Sequence, residues 1–152
     1  MVALWDWHTE GFLHPPVRRP SIPNEHVFRV WGGTSELLGR PGRPGVCFSL
    51  RAPLTRREAE RAFAIFEWGN AARYVTQFLL PQGIEIWIGM VHPGYIRTKW
   101  TWPPDQQVFI ENPTAQTLRS RALRTTKLID DLQPSALVSY PDPGKHKPRG
   151  FQ

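Results

Sequence analysis

Proline and glycine set the strongest constraint on how this chain can fold. There are 16 prolines and 12 glycines among its 152 residues, and several of them cluster at 15–16, 39–45 and 81–83. Proline interrupts helices and central strands because it has no backbone N–H, and glycine favours turns because it tolerates a positive φ. The sequence therefore predicts short strands joined by turns in preference to long helices.

The remaining composition is that of one globular domain. The chain is 40% hydrophobic and 21% charged, and its length of 152 residues suits a single core. The single cysteine, Cys47, excludes an intramolecular disulfide and a thiolate metal cluster. The five histidines lack metal-ligand spacing, so no metal is expected.

Nothing in the sequence directs the chain to a membrane. No apolar run approaches the roughly 20 residues that span a bilayer, and the N-terminus lacks the basic-then-apolar pattern of a signal peptide. We therefore expect a cytoplasmic protein that acts inside a producing or a target cell.

Local patterns predict an α+β fold. Thr55 and Glu58 have the spacing of a capping box, which predicts a helix over 55–68. A second helix is predicted from Asn112 to about Leu132, because Asn is a good N-cap and the proline after it suits a first turn. Short β-rich runs predict strands at 26–31, 46–50, 73–80, 85–91 and 108–110.

The turn residues indicate how some of these strands pair. The turn at 81–83 predicts that strands 73–80 and 85–91 form a hairpin, and the strands together are expected to form two short sheets. Residues 25–133 are predicted to form the folded domain. An extended arm (1–24) precedes it and a proline-rich basic tail (134–152) follows it.

The charge of the chain indicates anionic partners. Nineteen basic side chains oppose 13 acidic ones, a net charge of +6, and fifteen of the basic residues are arginine. Arginine binds phosphate and carboxylate oxygens with two parallel hydrogen bonds, so a nucleotide, a nucleic acid or an acidic protein is expected. A basic surface that only keeps the protein soluble explains the charge equally well.

The order of chemical groups along the chain is more informative than any single motif. The sequence has no GxxxxGK, GxGxxG, HExxH or GxSxG motif. A strand carrying Arg29 is followed by a strand ending in Ser49, then by a helix and the predicted hairpin. An aromatic loop at 93–106 leads to a strand headed by Gln107.

This order resembles the ADP-ribosyltransferase superfamily, whose split sheet binds NAD between an arginine strand, a serine-bearing strand and a strand headed by a Gln/Glu-x-Glu motif. The resemblance covers residues 27–111 and implies a split β-sheet core with one or two flanking helices. The chain departs from the family where Asp105-Gln106-Gln107 replaces that motif, so that Gln107 stands in place of the catalytic carboxylate. In this respect it is more similar to the necrotizing-toxin group of NAD glycohydrolases, which pair an early-strand arginine with a late glutamine.

The resemblance implies a catalytic role for three residues, with NAD as the substrate. Arg29 would bind the pyrophosphate, Ser49 would hydrogen-bond the nicotinamide ribose or position Gln107, and Gln107 would hold a ribose hydroxyl. Further candidates for binding NAD are Trp31, Gly32, Phe48, Asn70 and Tyr74. In the aromatic loop, Trp100 and Trp102 would contact a macromolecular partner.

Each of these residues also has a structural interpretation. Arg29 suits a buried ion pair, and Ser49 suits a hydrogen bond to the backbone. Aromatic residues in short strands usually belong to the core. Asn70 follows a glycine where a helix is expected to end.

Three functions fit these features of the sequence. The first is an NAD glycohydrolase effector that releases nicotinamide and ADP-ribose and is accompanied by an inhibitor (immunity) protein. The second is an ADP-ribosyltransferase that modifies a protein or nucleic acid through its aromatic loop. The third is a non-enzymatic basic module that binds nucleic acid or an acidic partner with an affinity that falls steeply with salt.

Overall fold

A computed structural model describes residues 12, 14–39, 42–63, 70–91 and 106–131, without the side chains of 61–63. The strands are β1 (Val17–Pro20), β2 (His26–Gly33), β3 (Gly45–Ser49), β4 (Asn70–Leu79), β5 (Glu85–Met90), β6 (Gln106–Glu111) and β7 (Ala122–Lys127). The described residues between them include one α-helix, α1 (Arg56–Phe63), and one 3₁₀ helix (Thr114–Arg121). A mainly antiparallel sheet with little helix agrees with the predicted α+β class.

The seven strands form one antiparallel sheet in the order β1-β5-β6-β3-β2-β4-β7. Strand β2 is joined to β3 by a single residue pair, Phe28 with Ser49, whereas longer ladders join β2 to β4 and β3 to β6. The expectation of two separate short sheets is thus wrong for the described strands. Two well-paired halves instead meet at one narrow junction.

The predicted hairpin between β4 and β5 is also wrong. Strand β4 pairs with β2 and β7, whereas β5 pairs with β1 and β6 on the other side of the junction. The connection between β4 and β5 is held by the segment before β2, because the N–H of Leu80 donates to the carbonyl of Glu25 and that of Gly83 to the carbonyl of Ser21. A turn is present, but it carries the chain across the sheet.

Helix α1 begins where the capping box predicts. The N–H of Glu58 donates to the Thr55 hydroxyl at 3.0 Å, and the Glu58 carboxylate accepts from the N–H of Leu54 at 3.0 Å. These bonds satisfy two N–H groups at the start of the helix. The described helix ends at Phe63, and the rest of the predicted span lies outside the described residues.

The second predicted helix is replaced by the 3₁₀ helix and strand β7. Ala115 and Leu118, three residues apart, are the buried side chains of the 3₁₀ helix, whereas all six residues of β7 are exposed. Strand β7 pairs along β4, and the Thr125 and Thr76 hydroxyls share a hydrogen bond of 2.7 Å. Tertiary pairing therefore overrides the local helix signal after Arg121.

Both faces of the sheet carry apolar clusters. Val27 belongs to the larger cluster, which also contains Leu118 of the 3₁₀ helix. Val30 belongs to a second cluster with Ala59 of α1, and Phe28 packs against it. Phe28 and Val30 therefore lie on one face of β2 and Val27 on the other, as alternation along a strand requires.

The later part of the predicted arm belongs to the sheet, because β1 pairs with β5. Within the described residues, no helix has the length and apolar character needed to cross a bilayer. The tail (134–152) lies outside the described residues, as do residues 1–11 and 13 of the arm.

Candidate functional site

Ser49 and Gln107 are brought together by the pairing of β3 with β6. They are direct cross-strand partners, Ser49 also pairs with Phe28 of β2, and Gln107 also pairs with Gly89 of β5. Cross-strand partners project from the same face of a sheet. The row Phe28–Ser49–Gln107–Gly89 therefore crosses the junction between the two halves of the sheet on one face.

The Ser49 hydroxyl is held by the backbone. Its oxygen lies 2.8 Å from the carbonyl oxygen of Arg51 and 3.2 Å from that of Phe28, and the residue is 4% exposed. A hydroxyl has one proton to donate and two lone pairs that accept. These contacts fit the structural interpretation, while the lone pairs give Ser49 the capacity to accept a further hydrogen bond.

Gln107 occupies the position that the family resemblance assigns to catalysis. It is buried, at 8% exposure, in a strand whose next three residues are also buried. The neighbouring Gln106 is exposed, and alternation directs its side chain to the opposite face. The two adjacent glutamines thus have different environments, which makes Gln106 a natural control for Gln107.

Arg29 lies on the other face of the sheet from Ser49 and Gln107, because it follows Phe28 in β2. Its guanidinium donates to the carbonyl oxygens of Leu37 (2.9 Å), Glu36 (3.0 Å) and Cys47 (3.2 Å) and to the hydroxyl of Ser35 (2.8 Å). The contacts tie the loop after β2 to β3 at the point where the two strands diverge. These contacts to neutral protein groups are neither the predicted hydrogen bonds to a pyrophosphate nor the alternative, an ion pair with a carboxylate.

The environment of Arg29 is electrostatically unusual. The side chain is buried and all four of its acceptors are neutral. Burial lowers the pKa of Arg29 to about 10. The guanidinium is still charged at neutral pH, so hydrogen bonds to carbonyl dipoles offset much of its desolvation.

The aromatic candidates fall into two groups. Phe48 is 2% exposed and meets Phe78 edge to face at 5.6 Å, so it belongs to the core. Trp31 and Tyr74 are half-buried cross-strand partners whose ring centroids lie 4.8 Å apart, and the Trp31 indole N–H donates to the Thr76 hydroxyl at 2.9 Å. This pair lies on the Arg29 face, away from the row through Gln107.

Asn70 and Gly32 have backbone roles. The Asn70 amide donates to the carbonyl of Val30 at 2.6 Å and accepts from the N–H of Ala72 at 2.8 Å. Gly32 has φ near +140°, and a Cβ there would lie 3.0 Å from Arg73. Both residues shape the paired ends of β2 and β4, which explains their presence without a ligand.

Two residues that sequence reasoning did not single out extend the row. Phe28 pairs with Gln77 of β4, and Gln77 pairs with Arg124 of β7. Arg124 is exposed and Gln77 is half-buried. No local signal identifies them, because their position depends on which strands become neighbours.

The described residues contain no group of three or more His, Cys, Asp or Glu side chains placed to hold a metal. Trp100 and Trp102, predicted to contact a macromolecular partner, lie outside the described residues.

Cys47 is a free, half-buried thiol packed beside Phe12, Trp87 and Phe109. Burial raises its pKa from 9.0 to about 11, and the nearby Arg29 charge opposes this rise. Because the thiolate is the reactive form, we expect Cys47 at pH 8 to react with a disulfide reagent about 100-fold more slowly than in the urea-unfolded chain. Equal rates in the folded and unfolded protein would contradict this environment.

Comparisons with known proteins return no match from protein-family models, curated sequences or solved structures.

Proposed function

We propose that this domain cleaves the nicotinamide–ribose bond of NAD and passes the ribose to water. The observation that carries the proposal is the pairing of Ser49 with Gln107 at the junction of the two sheet halves. The resemblance assigned these residues from distant parts of the sequence, and the fold makes them neighbours. The next strand across the junction, β2, is the one that bears Arg29.

The shape of the sheet supports the same proposal. In the family that the chain resembles, a split sheet binds NAD between an arginine strand, a serine-bearing strand and a strand headed by a Gln/Glu-x-Glu motif. Here the ladder between β2 and β3 is reduced to one residue pair, and the loop bonded to Arg29 lies where the strands diverge. In this proposal Arg29 holds the loop after β2 against β3 and does not contact the phosphates.

The chemistry requires little from the protein beyond orientation. Cleavage develops positive charge on the ribose while nicotinamide departs, so a site that holds the ribose in place lowers the barrier. The Gln107 amide can bind a ribose hydroxyl through its oxygen or its NH₂ group, but it cannot take a proton as a carboxylate does. Water needs little activation once the ribose carries positive charge, so hydrolysis is favoured over transfer to a weak nucleophile.

The test is incubation of the purified protein with NAD that is labelled in its adenosine part. We expect nicotinamide and ADP-ribose to appear in equal amounts without any acceptor. Label that becomes stably attached to protein or nucleic acid would show transfer instead. Absence of nicotinamide release with and without a cell lysate would reject NAD cleavage.

A further inference from the structure

Strand β7 is an open edge of the sheet that the described strands form. It is the last strand in the sheet order, so no described strand lies beyond it, and its six residues are all exposed. Two apolar side chains are also exposed there, Leu123 at 53% and Ile129 just after the strand at 63%. The backbone of Ile129 is already bonded to Leu54 and Arg56, so the edge available to another strand ends at Lys127. Up to that residue the outward backbone groups have no described partner, and another strand can add there.

The hydrogen-bond pattern shows which backbone groups point outward. The N–H of Leu128 donates to the carbonyl of Arg73 at 2.8 Å, and these residues are opposite each other, since the next pair is Tyr74 with Lys127. In an antiparallel ladder, hydrogen-bonded and non-hydrogen-bonded pairs alternate. Lys127 and Thr125 therefore belong to non-hydrogen-bonded pairs and direct their N–H and C=O groups to the open edge.

Positive charge lies on both faces of this edge. Residues 112–129 contain four basic side chains and no acidic one, and all four are exposed. They are Arg119, Arg121, Arg124 and Lys127. Arg124 lies on the same face as its cross-strand partner Gln77, and Lys127 lies on the same face as its partner Tyr74. Arg124 and Lys127 are three residues apart in one strand, so these two faces are opposite.

We propose that an extended acidic segment of a partner protein binds β7 as an eighth strand. Side chains of an added strand alternate between the two faces, so acidic residues at positions i and i+3 would meet Arg124 and Lys127 together. A nucleic acid backbone lying along one face would reach only one of these charges. A second copy of β7 would place basic residues opposite basic residues, which is unfavourable.

The experiment uses the full chain and synthetic eight-residue peptides rich in Thr and Val, with Glu at positions 3 and 6. Binding is followed by fluorescence anisotropy of a labelled peptide. Two further peptides carry N-methyl groups on the odd or on the even residues, which removes every second N–H. Strand addition predicts that one of these two peptides binds at least 10-fold more weakly and that the other is much less affected.

The contribution of charge to peptide binding is tested with an Arg124→Glu, Lys127→Glu double variant. Both positions are exposed, so the substitutions do not disturb the core. We expect this variant to lose the acidic peptide and to bind a peptide with Lys at positions 3 and 6, which also shows that it is folded. Equal binding of the two N-methylated peptides would overturn the proposal, since charge alone would then explain binding. Absence of peptide binding at low salt would overturn it as well, as would a tighter complex with single-stranded nucleic acid that competes with the peptide.

Discussion

Replacing Arg29 by alanine is expected to lower the free energy of unfolding by about 3 kcal/mol, because one buried and three partly buried acceptors lose their donor at once. The guanidinium donates to three carbonyl oxygens and one hydroxyl at the junction of β2 and β3. Each acceptor that stays buried without a donor is destabilising. Lysine restores the charge but not the planar set of donors, so Arg29→Lys should recover only part of the stability.

Urea denaturation of the three proteins measures this effect. Arg18→Ala is the matched control, because Arg18 is an exposed arginine whose partner is the exposed Glu85, and we expect it to change the unfolding midpoint little. If Arg29→Ala unfolds at the wild-type midpoint and yet fails to turn over NAD, Arg29 contacts the substrate and our structural interpretation is wrong.

Replacing Gln107 by alanine is expected to slow nicotinamide release by about 10²-fold, the scale on which one preorganised contact to the transition state acts. Gln107 is buried next to Ser49 in the row that crosses the junction. Its amide would orient the ribose, and alanine has no group that replaces it. Gln107→Glu keeps a hydrogen-bonding side chain of similar size, so we expect it to retain part of the cleavage rate.

Gln106→Ala provides the control, because Gln106 is exposed on the same strand and projects from the opposite face. Initial rates of nicotinamide release are compared after urea denaturation has shown equal stability of the variants. Wild-type rates for Gln107→Ala would remove this residue from the site. An equal loss of rate in Gln106→Ala would show a general effect on β6 in place of a contact to the substrate.

Several features of the fold were predictable from short stretches of sequence. The capping box identified the start of α1 at its true position, because Thr55 and Glu58 satisfy N–H groups within one turn of themselves. Once β2 is known to be a strand, alternation places Val27 on one face and Phe28 and Val30 on the other, since it depends on backbone geometry alone. The positions of β2 to β6 followed from β-rich runs bounded by turn residues for the same local reason, whereas β1 and β7 were not predicted as strands.

Strand partners were not predictable in this way. The turn at 81–83 was expected to close a hairpin, yet it connects opposite halves of the sheet because the chain around Ser21 and Glu25 binds it. Residues 122–127 carry a helix signal, but pairing with β4 makes them a strand. In both cases contacts with residues far away in sequence outweigh the local preference.

The candidate site was likewise predictable in part from the sequence and decided in part by strand pairing. The sequence by itself determined which residue types stand on the three strands, with Arg29, Ser49 and Gln107 in an order that resembles NAD-cleaving proteins. Only the tertiary structure decided that Ser49 and Gln107 are neighbours on one face and that Arg29, on the other face, binds the loop after β2. The physical reason is that a side chain's face follows from local alternation, whereas its neighbours follow from the order in which distant strands pair.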